Sequence, residues 1–234
     1  MPGVVLLLAV AAPAAAVQPA PASIYRVNAA VDAPIIFVSA LAVVLPTIFA
    51  SDLVHPRCPC DPGEVNALDR HVVGNRNAFM ATASDVLEVV AVAAPLLLDV
   101  ADVGFTPVLL EDVTVYAEAI AVDEAVTTLT KYAVRRPRPS TYAGDPSALR
   151  STDGYLSFYS GHVSLVSTAM TVSAMTLHKR HGQRVWPFIV AGVVGVTAAL
   201  QRVAAGEHFY TDVAVGLASG VAAGIAVPLL HARF

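Results

Sequence analysis

The sequence predicts an all-α fold, a bundle of six membrane-spanning helices, and three observations carry that expectation. Of 234 residues only 14 are Lys or Arg and 18 are Asp or Glu, so charged residues make up 14%, against about a quarter in soluble domains. The hydrophobic share is 56% and the mean hydropathy is +0.65. The few charges also avoid several uncharged runs, each close to the roughly 20 residues that cross a bilayer as helix. Together these exclude an ordinary water-soluble globule and a disordered chain. Two cysteines are too few for a disulfide scaffold. A net charge of −4, with a single local basic cluster, leaves no basic stripe for nucleic acid.

Along the chain, residues 4–17 (VVLLLAVAAPAAAV) form a short apolar stretch followed by small residues, as in a signal peptide. A basic segment before it is missing, since the first basic residue is Arg26. At 1.5 Å per residue the stretch reaches only about 21 Å, short of a full span. Residues 1–30 therefore read as a signal-like or anchoring segment, and 31–234 as the membrane domain.

The first span is Ala33 to Ser51. Cys58 and Cys60 follow, separated by one residue and too close for easy disulfide geometry, and with His55 and His71 they lack a zinc-ligand spacing. Val86 to Val103 is interrupted by Glu88, Asp99 and Asp102, and Glu111 to Val134 contains Glu118, Asp123 and Glu124. Carboxylates are costly in hydrocarbon, so both helices should turn them to the bundle interior. Glu124, Thr127, Thr128 and Lys131 fall on one helical stripe, which suits a polar pocket with Lys131 at its mouth. The stretch from Val134 to Tyr159 is too long for a mere connector and should shape access.

The fourth span lies between Asp153 and Lys179 and is strongly apolar from His162. Val185 to Gln201 and Val213 to Leu230 complete the six. On the last, His208, Asp212, Gly216, Gly220 and Gly224 recur every four residues, with Gly192 and Gly195 on the helix before. Such small faces let membrane helices approach closely.

Three clusters fall at helix ends on one side of this bundle. Lys131 and Arg138-Pro139 leave the third helix, Ser160-Gly161-His162 open the fourth, and Arg202, His208 and Asp212 join the fifth to the sixth. Lys131, Arg138 and Arg202 are three permanent positive charges, two of them planar forks suited to phosphate oxygens. Ser160 offers a hydroxyl, and the N–H groups of Gly161 and His162 would point outward from a helix N-terminus, a ready anion site. His208, oriented by Asp212 four residues on, would be the nucleophile. His162 would protonate the leaving oxygen and then activate water. The arrangement calls for no metal and no cofactor.

These residues, in the order KYAVRRPRP, FYSGH and QRVAAGEHFYTD, resemble the type-2 phosphatidic acid phosphatase family, whose superfamily includes bacterial class A acid phosphatases and vanadium haloperoxidases. The family pattern is Lys-x6-Arg-Pro, then Pro-Ser-Gly-His, then Ser-Arg-x5-His-x3-Asp. Tyr159 stands where the pattern has proline, and Gln201 where it has serine. The resemblance covers about Glu111 to Leu230. It implies that His208 forms a phosphohistidine, that Asp212 is its partner and His162 the acid, and that Lys131, Arg138, Ser160, Gly161 and Arg202 cradle the phosphate.

A site at headgroup depth favours a phospholipid or polyprenyl phosphate or pyrophosphate as substrate, as the resemblance also implies. Nine of the 14 basic residues share the site's side of the bundle. Without Lys131, Arg138 and Arg202 the balance is six to five, so the positive-inside rule is nearly silent. The resemblance places the site on the extracytoplasmic face. Two other readings stand beside the phosphatase: a vanadate-binding haloperoxidase, and a non-catalytic transporter or structural protein using Glu118, Asp123 and Glu124 as an ion path.

Overall fold

The structure of the chain, a computed structural model, describes residues 22–58 and 60–233. The signal-like stretch 4–17 lies outside the described residues. Six long helices make up the bundle: α1 (Ala29–Ile48), α2 (Ala78–Val103), α3 (Pro107–Val134), α4 (Gly161–Arg180), α5 (Trp186–Ala205) and α6 (Tyr210–Leu230). Each of the six expected segments corresponds to one of these helices, most of them longer than the run that announced them. Among the described residues the only β-pairing is an isolated bridge between Tyr25 and Ala232, which joins the two ends of the chain.

Local chemistry sets where helices begin. Asn28 and Asn77 cap α1 and α2 by accepting from Ala30 N and Met80 N, and Pro107, which has no N–H to leave unpaired, opens α3. α1, α5 and α6 are long and apolar enough to cross a membrane by length and composition. α1 and α5 turn Phe37, Val38, Ile189 and Val193 outward, as lipid-facing helices should.

α4 differs because it is the central helix, packed against α2, α3, α5 and α6. It therefore buries hydroxyls that a lipid-facing helix could not satisfy: Ser164, Ser167, Thr168, Thr171 and Thr176. Ser167 and Thr176 return their protons to the carbonyls of Val163 and Val172 four residues back, at 2.6 and 3.1 Å.

The glycine stripe explains the close pairing of α4 with α6. A Cβ at Gly220 would fall 2.2 Å from Ser164 O, one at Gly216 2.6 Å from Ser160 O, and one at Gly224 2.6 Å from Thr171 Cβ. No larger residue fits those positions unless the helices separate. Gly195 likewise meets Leu217 Cδ1 at 2.8 Å, whereas Gly192 has nothing within 4 Å and plays no part in packing.

The intramembrane carboxylates face inward, each group to a different place. Arg180, at the end of α4, gathers Asp99, Asp102 and Asp112 at 3.0, 3.3 and 2.5 Å. Asp123 accepts from Ser164 Oγ at 2.6 Å. Glu118 meets Asp32 and His231, and Glu124 lines a cavity described below.

One sequence expectation is corrected. Cys58 and Cys60 form a disulfide, with their Cα atoms 4.5 Å apart. Two extended residue steps would separate those atoms by about 6.6 Å; the observed separation is shorter and falls within the range of about 4.4–6.8 Å that bridges tolerate.

Candidate active site

All eight residues singled out by the motifs converge at one end of the bundle, where α3 and α5 finish and α4 and α6 start. His208 sits in the short turn between α5 and α6 with 1% of its surface exposed. The turn depends on Gly206, whose φ of +74° is left-handed and whose added Cβ would lie 1.9 Å from Asn75 O. Arg138 Nη1 faces His208 Nε2 at 3.3 Å. A guanidinium only donates, so Nε2 is the acceptor and the proton sits on Nδ1. Complete burial, followed by the positive charges of Arg138, Lys131 and Arg202, pushes the pKa of this imidazole well below its ordinary value. The ring is therefore neutral near pH 7, with its lone pair directed at the cations.

Asp212 is near that ring but engaged elsewhere. Its Oδ2 is 3.7 Å from His208 Nδ1, beyond hydrogen-bond reach. The same oxygen accepts from Phe209 N at 3.0 Å and Ser157 Oγ at 2.6 Å. The first of these contacts is a capping interaction, with Asp212 in the third position of α6 reaching back to the residue before the helix. Its other oxygen takes Arg136 Nη1 at 2.6 Å.

The cradle residues surround the ring. Arg138 is held by Asp153 O at 3.0 Å and Asp153 Oδ1 at 2.8 Å. Arg202, in the last turn of α5, donates to Ser84 Oγ at 3.1 Å and Asp85 Oδ1 at 3.2 Å. The Glu207 carboxylate lies between the two arginines, 3.1 Å from Arg138 and 3.7 Å from Arg202. Lys131 Nζ reaches Leu156 O at 3.3 Å, and its side chain passes 3.7 Å from where a Cβ of Gly161 would be. Ser160 caps α4 by position but makes no capping hydrogen bond. Its hydroxyl is buried and unpartnered among the described residues, as is Arg202 Nε.

His162 occupies the first turn of α4, and its Nε2 meets Asp85 at 3.0 Å and Glu88 at 2.8 Å. Carboxylates accept, so Nε2 carries a hydrogen and Nδ1 is the atom left to exchange a proton. Asp85 joins His162 to Arg202. These two carboxylates come from α2, outside the motif-bearing stretch; Glu88 was noted in the sequence only as an intramembrane charge, and the i, i+3 spacing of Asp85 and Glu88 on one helical face was the available signal.

Arg136 holds no place in the motif pattern, yet the structure brings it to the site. It bonds Asp69 at 2.8 Å, Asp212 at 2.6 Å and Thr211 at 2.7 Å, and stacks 4.1 Å above the ring of Phe209. Burial raises the pKa of Asp69, but hydrogen bonds from Arg136 and Thr211 outweigh it and hold the carboxyl below its usual value.

A cavity of about 500 Å³ opens beside the cluster, lined by Glu124, Thr127, Thr128, Lys131, Arg138 and His162 among others. This is the polar stripe of α3, with Asp153 and Leu156 of the long loop forming the opposite wall. Glu124 also lines a second groove of about 450 Å³, formed by apolar residues of α1, α2 and α3 including Val43, Leu96 and Ile120.

Fold and site together define a helical membrane protein with a cationic, histidine-bearing cluster at one end of its bundle. The PAP2 superfamily model matches residues 112–234, and the chain belongs to that superfamily. It is similar to phospholipid phosphatase 1 of Mus musculus, 28% identical over 141 residues covering 49% of this chain and 50% of that protein. The Rattus norvegicus protein of the same name is 29% identical over 140 residues, with the same shares covered. The chain thus spans about half the length of the curated relatives it matches. In fold it resembles the crystal structure of a transmembrane PAP2-type phosphatidylglycerolphosphate phosphatase from Bacillus subtilis. The TM-score is 0.50 at 20% identity, over 85% of this chain and 94% of that one.

Proposed function

We propose that the protein is a membrane-embedded, metal-independent phosphatase that hydrolyses a lipid phosphate or pyrophosphate monoester through a phosphohistidine. The observation that carries this reading is a neutral, buried His208 whose Nε2 faces Arg138 inside a ring of three cations. Nε2 forms a bond to phosphorus as the bond to the lipid oxygen breaks, and that oxygen takes a proton from His162. Water then attacks phosphorus and gives its proton to His162; the P–N bond breaks, releasing inorganic phosphate and neutral His208. Arg138, Arg202 and Lys131 offset the charge on the transferring group, and Ser160 Oγ and the N–H groups of Gly161 and His162 donate to its oxygens. Three fixed cations supply the positive charge for which other phosphatases use a metal.

A lipid substrate is supported by an apolar groove that shares the lining residue Glu124 with the polar cavity, which suits a charged head joined to an aliphatic tail. Phospholipids and polyprenyl phosphates both have that form. An extracytoplasmic face for the site is supported by the Cys58–Cys60 disulfide, in the loop between α1 and α2 on the same side, because such bonds persist in oxidising compartments. The ion-path reading has less support, since Glu118, Asp123 and Glu124 face three different surroundings.

The test is phosphate release from lipid phosphates in detergent micelles with a chelator present. His208→Ala is expected to abolish it. Activity undiminished by that change, or absent until magnesium is added, overturns the mechanism.

A further inference from the structure

A second cluster lies far from the catalytic end. Asp32 belongs to the start of α1, Glu118 to the middle of α3, and His231 directly follows α6. Glu118 is 13 positions before Lys131 on α3, about 20 Å along the axis at 1.5 Å per residue. One ligand atom from each of the three lies within 4.8 Å of the others, and Asp32 and Glu118 are buried to 3% and 4% exposure, with His231 at 9%.

The spacings are wrong for direct hydrogen bonds and right for a shared cation. His231 Nε2 is 3.5 Å from Asp32 Oδ1 and 3.6 Å from Glu118 Oε2, whereas N–H···O bonds run about 2.7–3.2 Å. Two donors each about 2.1 Å from one tetrahedral metal stand roughly 3.4 Å apart. His231 Nδ1 lies 2.9 Å from Val227 O. A carbonyl only accepts, so Nδ1 carries a hydrogen, and Nε2 is the nitrogen turned to the two carboxylates. That is the arrangement in which metal-bound histidines are held, one nitrogen fixed by a backbone carbonyl and the other free to ligate. Asp32 is oriented in the same way, its Oδ2 accepting from Asn28 N at 2.7 Å and its Oδ1 turned to the cluster.

Glu118 Oε2 supplies an independent observation: it is buried, has no hydrogen-bond partner among the described residues, and is the atom aimed at His231. The charges agree. Two carboxylates and an imidazole, which ligates in its neutral form, sum to −2, which a divalent cation cancels, and the nearby Arg233 is engaged by Glu111 and by the carbonyl of Tyr25.

We propose that Asp32, Glu118 and His231 form a structural site for a divalent transition-metal cation, with Zn²⁺ the best match to one imidazole and two carboxylates. An imidazole donor disfavours the hard cations Mg²⁺ and Ca²⁺. The ion ties α1 and α3 to the end of α6, at the place where Tyr25 and Ala232 pair. It takes no part in phosphoryl transfer, and the proposal stands apart from the phosphatase reading.

The experiment uses the full chain in detergent, stripped with EDTA and returned to chelator-free buffer. Titration with Zn²⁺ should give one equivalent bound by atomic emission and raise Tm by about 5 °C or more at a hundredfold excess over Kd. Mg²⁺ at the same concentration should do neither. His231→Ala and Glu118→Gln should lose the equivalent, while His162→Ala, which removes the other histidine flanked by two carboxylates, should keep it. Because those variants can fail to fold, the X-ray absorption spectrum of zinc on the unaltered protein is a second measurement, expected to show one imidazole among oxygen donors. Binding below about a tenth of an equivalent, retention in both His231→Ala and Glu118→Gln, loss in His162→Ala, or a spectrum with sulfur or several imidazoles overturns the site.

Discussion

Arg136→Ala tests how the turn that carries His208 is held. The guanidinium joins two carboxylates with no exposed side-chain surface, Asp69 at 2.8 Å and Asp212 at 2.6 Å, and lies 4.1 Å above the Phe209 ring. Removing one partner from a buried ion pair costs about 3–5 kcal/mol, because the charge left behind stays desolvated. A cation over an aromatic face adds about 1–2 kcal/mol, and the two are not additive. Arg136 keeps 19% of its side chain exposed, so screening places the cost at the low end, about 3 kcal/mol. At about 2–4 °C per kcal/mol for a chain of this size, Tm should fall by about 6–12 °C.

The kinetic effect should be selective. Arg136 grips Asp212 and stacks on the residue after His208 but contacts none of the cradle residues, so kcat should drop about 100-fold with KM for a short-chain lipid phosphate little changed. Arg136→Lys should recover part of the stability, since a point charge can serve one carboxylate but not fork between two. Differential scanning fluorimetry in detergent and steady-state phosphate release measure the two effects. A Tm shift under about 2 °C with kcat within about twofold of wild type would refute the reasoning.

Two further outcomes follow from the geometry. The pKa of His208 is depressed below 6.5 by burial and by its cationic neighbours, so the folded protein keeps the ring neutral where the unfolded chain protonates it. The acid limb of kcat/KM should lie below pH 6.5, and the contribution of His208 to stability, fully present above that pH, should fade as pH falls toward the depressed value; an acid limb at about pH 7 or higher contradicts a neutral nucleophile. Gly220→Ala places a Cβ 2.2 Å from Ser164 O and should cost about 1–3 kcal/mol in thermal unfolding. Gly192→Ala, with nothing within 4 Å, should be neutral or stabilising by up to about 1 kcal/mol, and equal effects from the two would remove the packing argument.

The legible parts of the sequence were those in which a spacing and a physical requirement coincide. Uncharged runs gave four of the six helices because the bilayer sets their length, and the other two were read from length and apolar content despite their carboxylates. The Gly216, Gly220 and Gly224 repeat indicated close approach because no Cβ fits there. Contacts between residues distant in the chain were not legible. Asp69 and Asp85 carry no motif, and only the fold brings them to Arg136 and Arg202. Arg136 itself, next to Arg135 and two residues before Arg138, could not be told from a surface cation, because basic residues at a helix end look alike until their partners are known. The cysteines failed differently: a one-residue spacing argues against a bridge on an extended chain, yet the Cα atoms of Cys58 and Cys60 stand 4.5 Å apart.

Asp212 shows how a spacing can be right and its mechanical reading incomplete. Four residues from His208, it was expected to orient the imidazole by accepting from a ring nitrogen, yet its oxygens are taken by Phe209 N, Ser157 and Arg136, and the ring stands at 3.7 Å. The same interval that brings a carboxylate beside a histidine at a helix start also places it in the third helical position, where it caps the helix. Capping fixes α6 at its first turn; Gly216, one turn further, lets the Ser160 carbonyl lie against the helix, and Ser160 N in turn donates to Asp212 O at 3.2 Å. The starts of α4 and α6 are therefore locked to each other through backbone contacts, and His208 gains its position from that lock more than from a single bond to Asp212.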